Sequence, residues 1–319
     1  MIQVIAHKTG GSIRKVCVVL GEARSSFYDA STPTATQVAD AGMGDLIEAV
    51  FRRHRRRYGY RRLGQELSDR GITCAPARIR RIMAQRALRA IQPKTYIPKT
   101  SDGRADKPSP NLISGLPLPE VPDRAWAGDI TFIPTGAGWL YIAVVIDLCS
   151  RRILGWSLAT HMRSDLVLAA LLQALQTRSA SGAIFHSDRG SQYGSAPFRT
   201  ALAQAGLRQS MSARANPYDN AWTESFIGTL KVEMLQDGCF QDAADAHAEI
   251  FDYIEGYYNT HRKHSSLGYK TPSQFETHIH STNQDTNGPK ISCTSNAFRQ
   301  GLGVVTVRSP ICGSPNRAT

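Results

Sequence analysis

The chain has 319 residues, 41% of them hydrophobic and 20% charged, which suits one large or two to three smaller packed domains and excludes a disordered or collagen-like chain. No run approaches 18 apolar residues and the N-terminus lacks a signal-type apolar segment, so a membrane span and secretion are both excluded as expectations. The 38 Lys and Arg exceed the 26 Asp and Glu by 12, and residues 50–95 hold fourteen of these bases against two acids, a charge concentration that points to nucleic acid. Six scattered cysteines without a C-x-x-C pair argue against disulfides and a cysteine zinc site, and fit a reducing cytoplasm.

In chain order, residues 12–29 predict a short helix, a break at Gly21 and a second helix, and the Ala/Thr/Gly-rich residues 30–44 predict a loop. Residues 1–44 thus form an N-terminal helical segment. Asp45 is a candidate cap for a helix carrying Leu46, Ile47, Val50 and Phe51. Residues 60–70 place Leu63 and Leu67 one turn apart and stop at Gly71; Thr73 and Pro76 start a third helix with Ile79, Ile82 and Met83 inward. Helix, Gly turn and an arginine-bearing helix predict a small all-α helix-turn-helix domain over 45–90. Arg78, Arg80 and Arg81, with Arg61 and Arg62, are its candidate DNA contacts. Seven of 16 prolines fall in 91–122, which predicts an extended linker.

Beyond the linker the pattern is α/β. Residues 126–134 alternate, 139–147 form a nearly continuous apolar run, and 151–159 make a third strand. A helix over 166–175 capped by Asp165, a strand at 182–186, a helix near 196–205, a strand at 207–212 and a long helix from Asp219/Asn220 to about 236 complete the core. Three meandering strands followed by alternating helices and strands predict a ribonuclease-H-like fold: a five-stranded mixed sheet flanked by helices, over 123–276. Residues 277–319 contain one acid and no periodicity, and predict a disordered tail.

Three acids stand apart from the solvating majority. Asp129 lies mid-strand, Asp188 follows a strand end in HSDRGSQY, and Glu224 lies on the long helix opposite the stripe of Trp222, Phe226 and Leu230. Lys231 returns to the Glu224 face after two turns. Such carboxylates can converge at a sheet edge, where they suit hard divalent cations and phosphoryl transfer. His261, His264, His278 and His280 lack partners at ligand spacing; the HRKH segment reads as a phosphate-contacting or solvated surface.

Thirty-five residues separate Asp188 from Glu224. With WAGDITFI, YIAVVIDLCSRRILGWSL, HSDRGSQY, NPYDNAWTESFIGTLKVE, YYNTHRKHSSLGYKTPSQF and the upstream YGYRRLGQEL, this spacing resembles the catalytic frame of two-frame bacterial insertion-sequence transposases of the DDE, retroviral-integrase-like superfamily. The resemblance covers about residues 12–276. It implies that Asp129, Asp188 and Glu224 are catalytic and hold Mg2+ or Mn2+, as two ions, and that Lys231 contacts DNA. His186, Asn216, Asp219 and Asn220 match motif positions that serve equally as loop turns and a helix cap. It implies metal-dependent cleavage at element ends and transfer of the 3′-OH into DNA, by a homo-multimer in the bacterial cytoplasm at the nucleoid, fused to or partnered with an upstream-frame product. A non-catalytic DNA-binding remnant or regulator, or a ribonuclease-H-like nuclease that cuts without joining, remains open at the level of sequence.

Overall fold

The computed structural model describes residues 2–31, 35–92, 108–213, 220–235 and 238–286. The linker residues 93–107, Asn216, Asp219 and the tail from 287 onward lie outside the described residues. Among those described, no helix is long and apolar enough to cross a membrane.

The chain opens with α1 (Ile2–Thr9), α2 (Ile13–Leu20) and α3 (Arg24–Ser31). Ser12 caps α2 by accepting from the Lys15 amide, and Gly21 ends it in the left-handed region at φ 68°. Next comes α4 (Ala35–Arg53), which starts ten residues before Asp45 and replaces most of the loop expected over 30–44. A long-range contact accounts for the extra turns: Asp40, on the added segment, pairs with Arg78 and Arg81. Helices α5 (Tyr60–Asp69) and α6 (Pro76–Gln85) complete a three-helix unit. Its core is Ile47, Val50, Phe51, Tyr58, Leu63, Leu67, Ile79, Ile82 and Met83, the inward positions of the helical spacing except that Leu46 is only partly buried and Tyr58, between α4 and α5, joins them.

The core domain is a five-stranded sheet in the order β3-β2-β1-β4-β5. Strands β1 (Ala125–Thr135), β2 (Gly138–Asp147) and β3 (Ile153–Ala159) form an antiparallel meander; β4 (Ile184–Ser187) and β5 (Arg208–Met211) add in parallel. One face packs on α7 (Ser164–Thr177), the four-residue α8 (Ser191–Gly194) and α9 (Ala196–Gln204) through Trp126, Val145, Leu171, Phe185 and Phe198. Gly155 lets β3 approach α7, since a Cβ there would stand 2.2 Å from the Ala170 carbonyl oxygen. Asp165 lies inside the first turn of α7 and Arg163 is its N-cap, so Asp165 is not the cap residue.

The other face packs on α10 (Ala221–Met234), α11 (Ala243–Phe251) and a π-helical turn over Asp252–Tyr258, through Ala127, Ile133, Val144, Phe226, Leu230, Ile250 and Tyr253. Helix α12 (Pro272–Thr286) runs ten residues into the stretch expected to be disordered from 277. Glu276 anchors its first half: it accepts from Ser150 Oγ at 2.8 Å, Arg152 at 3.0 Å and Arg178 at 2.6 Å.

Candidate active site and DNA-binding surface

The end of β4 sets the geometry of the site. Along the parallel pair Ala125 matches Ile184, Trp126 matches Phe185 and Ala127 matches His186, and the pairing stops there. Two residues further on in each segment stand Asp129 and Asp188. Asp188 is the first residue past the end of β4, and its charge acts on Asp129. Odd positions of β1 face α10, as Ala127 and Ile133 show by packing with Phe226 and Leu230; Asp129 shares this parity. Helix α10 begins at the Asn220 cap, where Thr223 Oγ donates to the Asn220 carbonyl at 3.0 Å. Phe226 and Leu230 lock the helix to the sheet, and Glu224 is left exposed beside them.

The carboxylates are held by local amides. Asp129 Oδ1 accepts from the Ile130 amide at 2.8 Å, and Asp188 Oδ1 from the Gly190 amide at 2.9 Å. Burial pushes the Asp129 carboxyl up to about 8, with the Asp188 charge next in weight; the Ile130 amide opposes this and Glu224 adds to it. Burial also raises Glu224. Crowded like charges raise a carboxyl in this way. Among the described residues, however, no three His, Cys, Asp or Glu side chains stand close enough to hold a metal ion together. The Asp188 and Glu224 charges both act on Asp129, but the three carboxylates do not stand together as one coordination set.

Lys231 is half-buried, with Nζ 4.3 Å from the centre of the Phe132 ring. Burial lowers its pKa and the Asp129 charge works against that shift. His186 is fully buried between the Ser210 and Ser212 hydroxyls, at 2.9 and 3.2 Å, which makes it a tie between β4 and β5. Tyr193, also in the HSDRGSQY motif, is buried, and its hydroxyl lacks a hydrogen-bond partner.

The arginines expected to touch DNA separate into three environments. Arg61 and Arg80 are exposed and flank the Tyr60 ring at 5.5 and 5.1 Å. Arg78 donates to Asp40 at 2.7 Å and Arg81 pairs with the same carboxylate, so part of their charge is spent within the fold. The Arg78 hydrogen bond is the main cause that holds Asp40 below the ordinary carboxylate range. Arg62 is turned inward and donates to the Lys263 carbonyl at 3.0 Å.

That last contact belongs to a joint between the three-helix unit and the core that sequence reasoning missed. The HRKH segment is not a solvated or phosphate-facing surface: the Arg262 and Lys263 side chains are 7% and 6% exposed. Arg262 forks onto Glu233 of α10 at 2.9–3.2 Å, and Lys263 pairs with Asp69 of α5. Tyr58 Oη donates to the His261 carbonyl at 3.0 Å and accepts from the Lys263 amide at 2.9 Å. Arg57, 6% exposed, lies over Tyr253 and Tyr257 at 4.9 and 4.6 Å, with its guanidinium 3.9 Å from Glu233. His54 stacks on Tyr58 at 3.8 Å and meets Tyr257 Oη at 3.2 Å. The one signal available was compositional: YGYRR and YYNTHRKH are both rich in Tyr and Arg, and side chains of the first bond the backbone of the second.

Comparison with known proteins agrees with this layout. The chain matches the family described as integrase core domain over residues 119–217, a second integrase core domain family over 205–272, and the HTH-like domain family over 37–96. It is 42% identical over 245 residues to the transposase for insertion sequence element IS904 of Lactococcus lactis subsp. lactis, across 76% of this chain and 97% of that one. It is 38% identical over 275 residues to transposase InsF for insertion sequence IS3A of Escherichia coli K12, across 85% and 96%. Among solved structures, the magnesium complex of the HTLV-2 integrase catalytic core domain in its dimeric form aligns with 20% identity and a TM-score of 0.37, over 49% of this chain and 97% of that one. With an HTH-like domain ahead of an integrase core, and relatives matched over nearly their whole length, the chain belongs to the IS3-type insertion-sequence transposases.

Proposed function

We propose that this transposase cleaves DNA at the ends of its element and joins the freed 3′-OH to a second DNA, with Asp129, Asp188 and Glu224 as the reacting centre. The observation that carries the reading is that Asp129 and Asp188 each lie two residues beyond the last matched pair of β1 and β4, with the Asp188 charge acting on Asp129 and α10 packed on the Asp129 face. Carboxylate oxygens are the donor type for Mg2+ or Mn2+, and the raised Asp129 carboxyl marks a place where a cation relieves crowding. Asp129 and Asp188 would hold such ions, with Glu224 completing the set. When bound, two such ions activate the attacking oxygen and stabilise the leaving one in an in-line displacement.

The chain's own residues do the rest by placement. The Ile130 and Gly190 amides orient the two Asp carboxylates. Lys231, on α10 beside Asp129, supplies a positive charge for the phosphate next to the reacting bond. Arg61 and Arg80 offer exposed charge to the DNA backbone, while Arg78 and Arg81 offer what Asp40 leaves. Two element ends have to be held together, so the working form is a homo-multimer on DNA, with an upstream-frame product as a fused or separate partner.

The test is cleavage of an intact end and strand transfer from a pre-cut 3′-OH end, in Mg2+. Asp188→Asn should lower both by more than about 100-fold, beyond the usual effect of a change outside the ligand set, and leave DNA binding intact. Near-native cleavage by this variant would refute the assignment. Cleavage without joining by the unsubstituted chain would identify a nuclease, and binding without either step a regulator.

A further inference from the structure

The tip of the β1–β2 hairpin carries a group of side chains that the reading above does not use. Trp139 opens β2 and is 56% exposed, whereas Trp126 and Trp156 are buried. It opposes Pro134, and Phe132 opposes Tyr141, so Phe132 and Trp139 are diagonal neighbours on the hairpin. Their rings meet edge to face, 5.0 Å apart at 85°. Lys231 Nζ sits 4.3 Å from the Phe132 ring. An apolar plane, a second ring bracing it and an ammonium therefore stand together at the hairpin tip, on the face of β1 opposite Asp129, and Lys231, on which the Asp129 charge acts, links the tip to the reacting centre.

The hairpin is braced. The Gly136 amide donates to the Phe240 carbonyl at 2.7 Å, Thr135 bridges Phe240, and Thr135 Oγ1 donates to the Gly138 carbonyl at 2.9 Å. A Cβ at Gly136 would stand 2.9 Å from the Gln241 carbonyl oxygen, so the strap lies directly on the turn. Single exposed apolar residues are ordinary on protein surfaces. A tryptophan on a pinned turn, backed by a second ring and a lysine, is instead the composition of a base-stacking platform.

Distance fixes what such a platform can hold. Phe132 is three residues along β1 from Asp129 and on its other face, about 10 Å along the strand at 3.3 Å per residue, or about three base-pair rises of 3.4 Å, with Lys231 reaching from the Asp129 side to the Phe132 ring. We propose that Trp139, backed by Phe132 and flanked by Lys231, stacks an unpaired DNA base within about three nucleotides of the reacting phosphate. The occupant is a nucleobase because the plane is apolar and the adjacent charge positive, a pairing that suits a π face attached to a phosphate. The platform would hold the frayed end of a strand after its terminal pairs open, and so select ends over continuous duplex. This rests on the reading that Asp129 and Asp188 act on DNA.

The experiment uses the full-length chain and two probes: a duplex with a three-nucleotide 3′ overhang containing 2-aminopurine, and the blunt duplex of the same sequence. The overhang should quench tryptophan emission, and stacking should change the 2-aminopurine signal. Trp139→Ala should abolish the quench and weaken overhang binding about 5- to 100-fold, the effect of losing one base–aromatic stack. Blunt-duplex affinity and melting temperature should stay unchanged, and Trp139→Phe should keep most of the overhang affinity. Equal binding of both probes by Trp139→Ala and the unsubstituted chain would overturn the platform, as would a quench that survives the substitution. Asp188→Asn separates the two layers. If it is inactive while Trp139→Ala is indistinguishable from the parent, only the platform fails; if it stays active, the site reading beneath it fails.

Discussion

Glu233→Gln removes one charge from the joint between the three-helix unit and the core while keeping its shape. Glu233 and Arg57 are each 6% exposed and Arg262 is 7% exposed. The carboxylate accepts two Arg262 donors and Tyr253 Oη, the latter at 2.9 Å. Without it, two buried guanidinium groups share no carboxylate there. Removing one partner of a buried pair costs about 3–5 kcal/mol. At roughly 2–4 °C per kcal/mol for a chain of this class, the melting temperature should fall by about 10 °C. Arg70→Ala, which breaks the more open Glu66–Arg70 pair on α5, should cost about 1 kcal/mol or less. Urea denaturation of both variants beside the parent measures the difference. A loss below about 1 kcal/mol for Glu233→Gln would refute the argument, because the joint would then gain little from the charges it buries. Glu233 lies nine residues, about 13 Å, along α10 from Glu224, so loosening the joint should also lower strand transfer.

The remaining expectations concern charge on the three-helix unit and at its joint with the core. Burial lowers His54 to about 4 and His264 to about 3. Both are neutral in the fold, whereas the unfolded chain takes up those protons near pH 6.5, so between about 6.5 and 4 the unfolded state binds more protons and stability falls as pH falls. Urea midpoints at pH 7.5 and 5.5 should show this loss, and His54→Phe should show less of it; an identical loss in the variant would move the effect elsewhere. The double change Arg61→Ala, Arg80→Ala should reduce the slope of log affinity against log salt by up to about two, and Arg78→Ala, Arg81→Ala by less. Equal slopes for the two would show that Asp40 does not withhold charge from DNA.

Most of the core was legible because its signals are local. The alternation of 126–134 and the apolar run of 139–147 give strands within a residue or two of those observed. The same periodicity puts Asp129 on the face of β1 that α10 covers. The start of α4 was not legible, because Ala, Gly and Thr favour a helix weakly and the contact that extends it comes from Arg78 and Arg81, some forty residues on. The joint was hidden for a related reason. A lysine or arginine in a sequence reads as solvated unless its partner is known, and Glu233, Asp69 and the aromatic rings around Arg57 lie far away in the chain. The same uncertainty placed Arg62 among the expected DNA contacts although it faces Lys263.

The early end of β4 also bears on solubility. Pairing between β1 and β4 stops at Ala127, and among the described residues the flank of β1 that faces away from β2 has no strand beside it from there until Thr135 bridges Phe240. A strand flank of that kind invites another chain to add to it, and inward-facing charge is one means by which native sheets prevent this. Asp129 stands two positions on and occupies the Ile130 amide with its own carboxylate. Asp129, proposed above to react with DNA, is thereby also placed to oppose edge-to-edge aggregation of the sheet. Asp129→Asn keeps an oxygen for the Ile130 amide and Asp129→Ala keeps none, so the alanine variant should self-associate at lower concentration, and lost activity in it would mix chemistry with clumping.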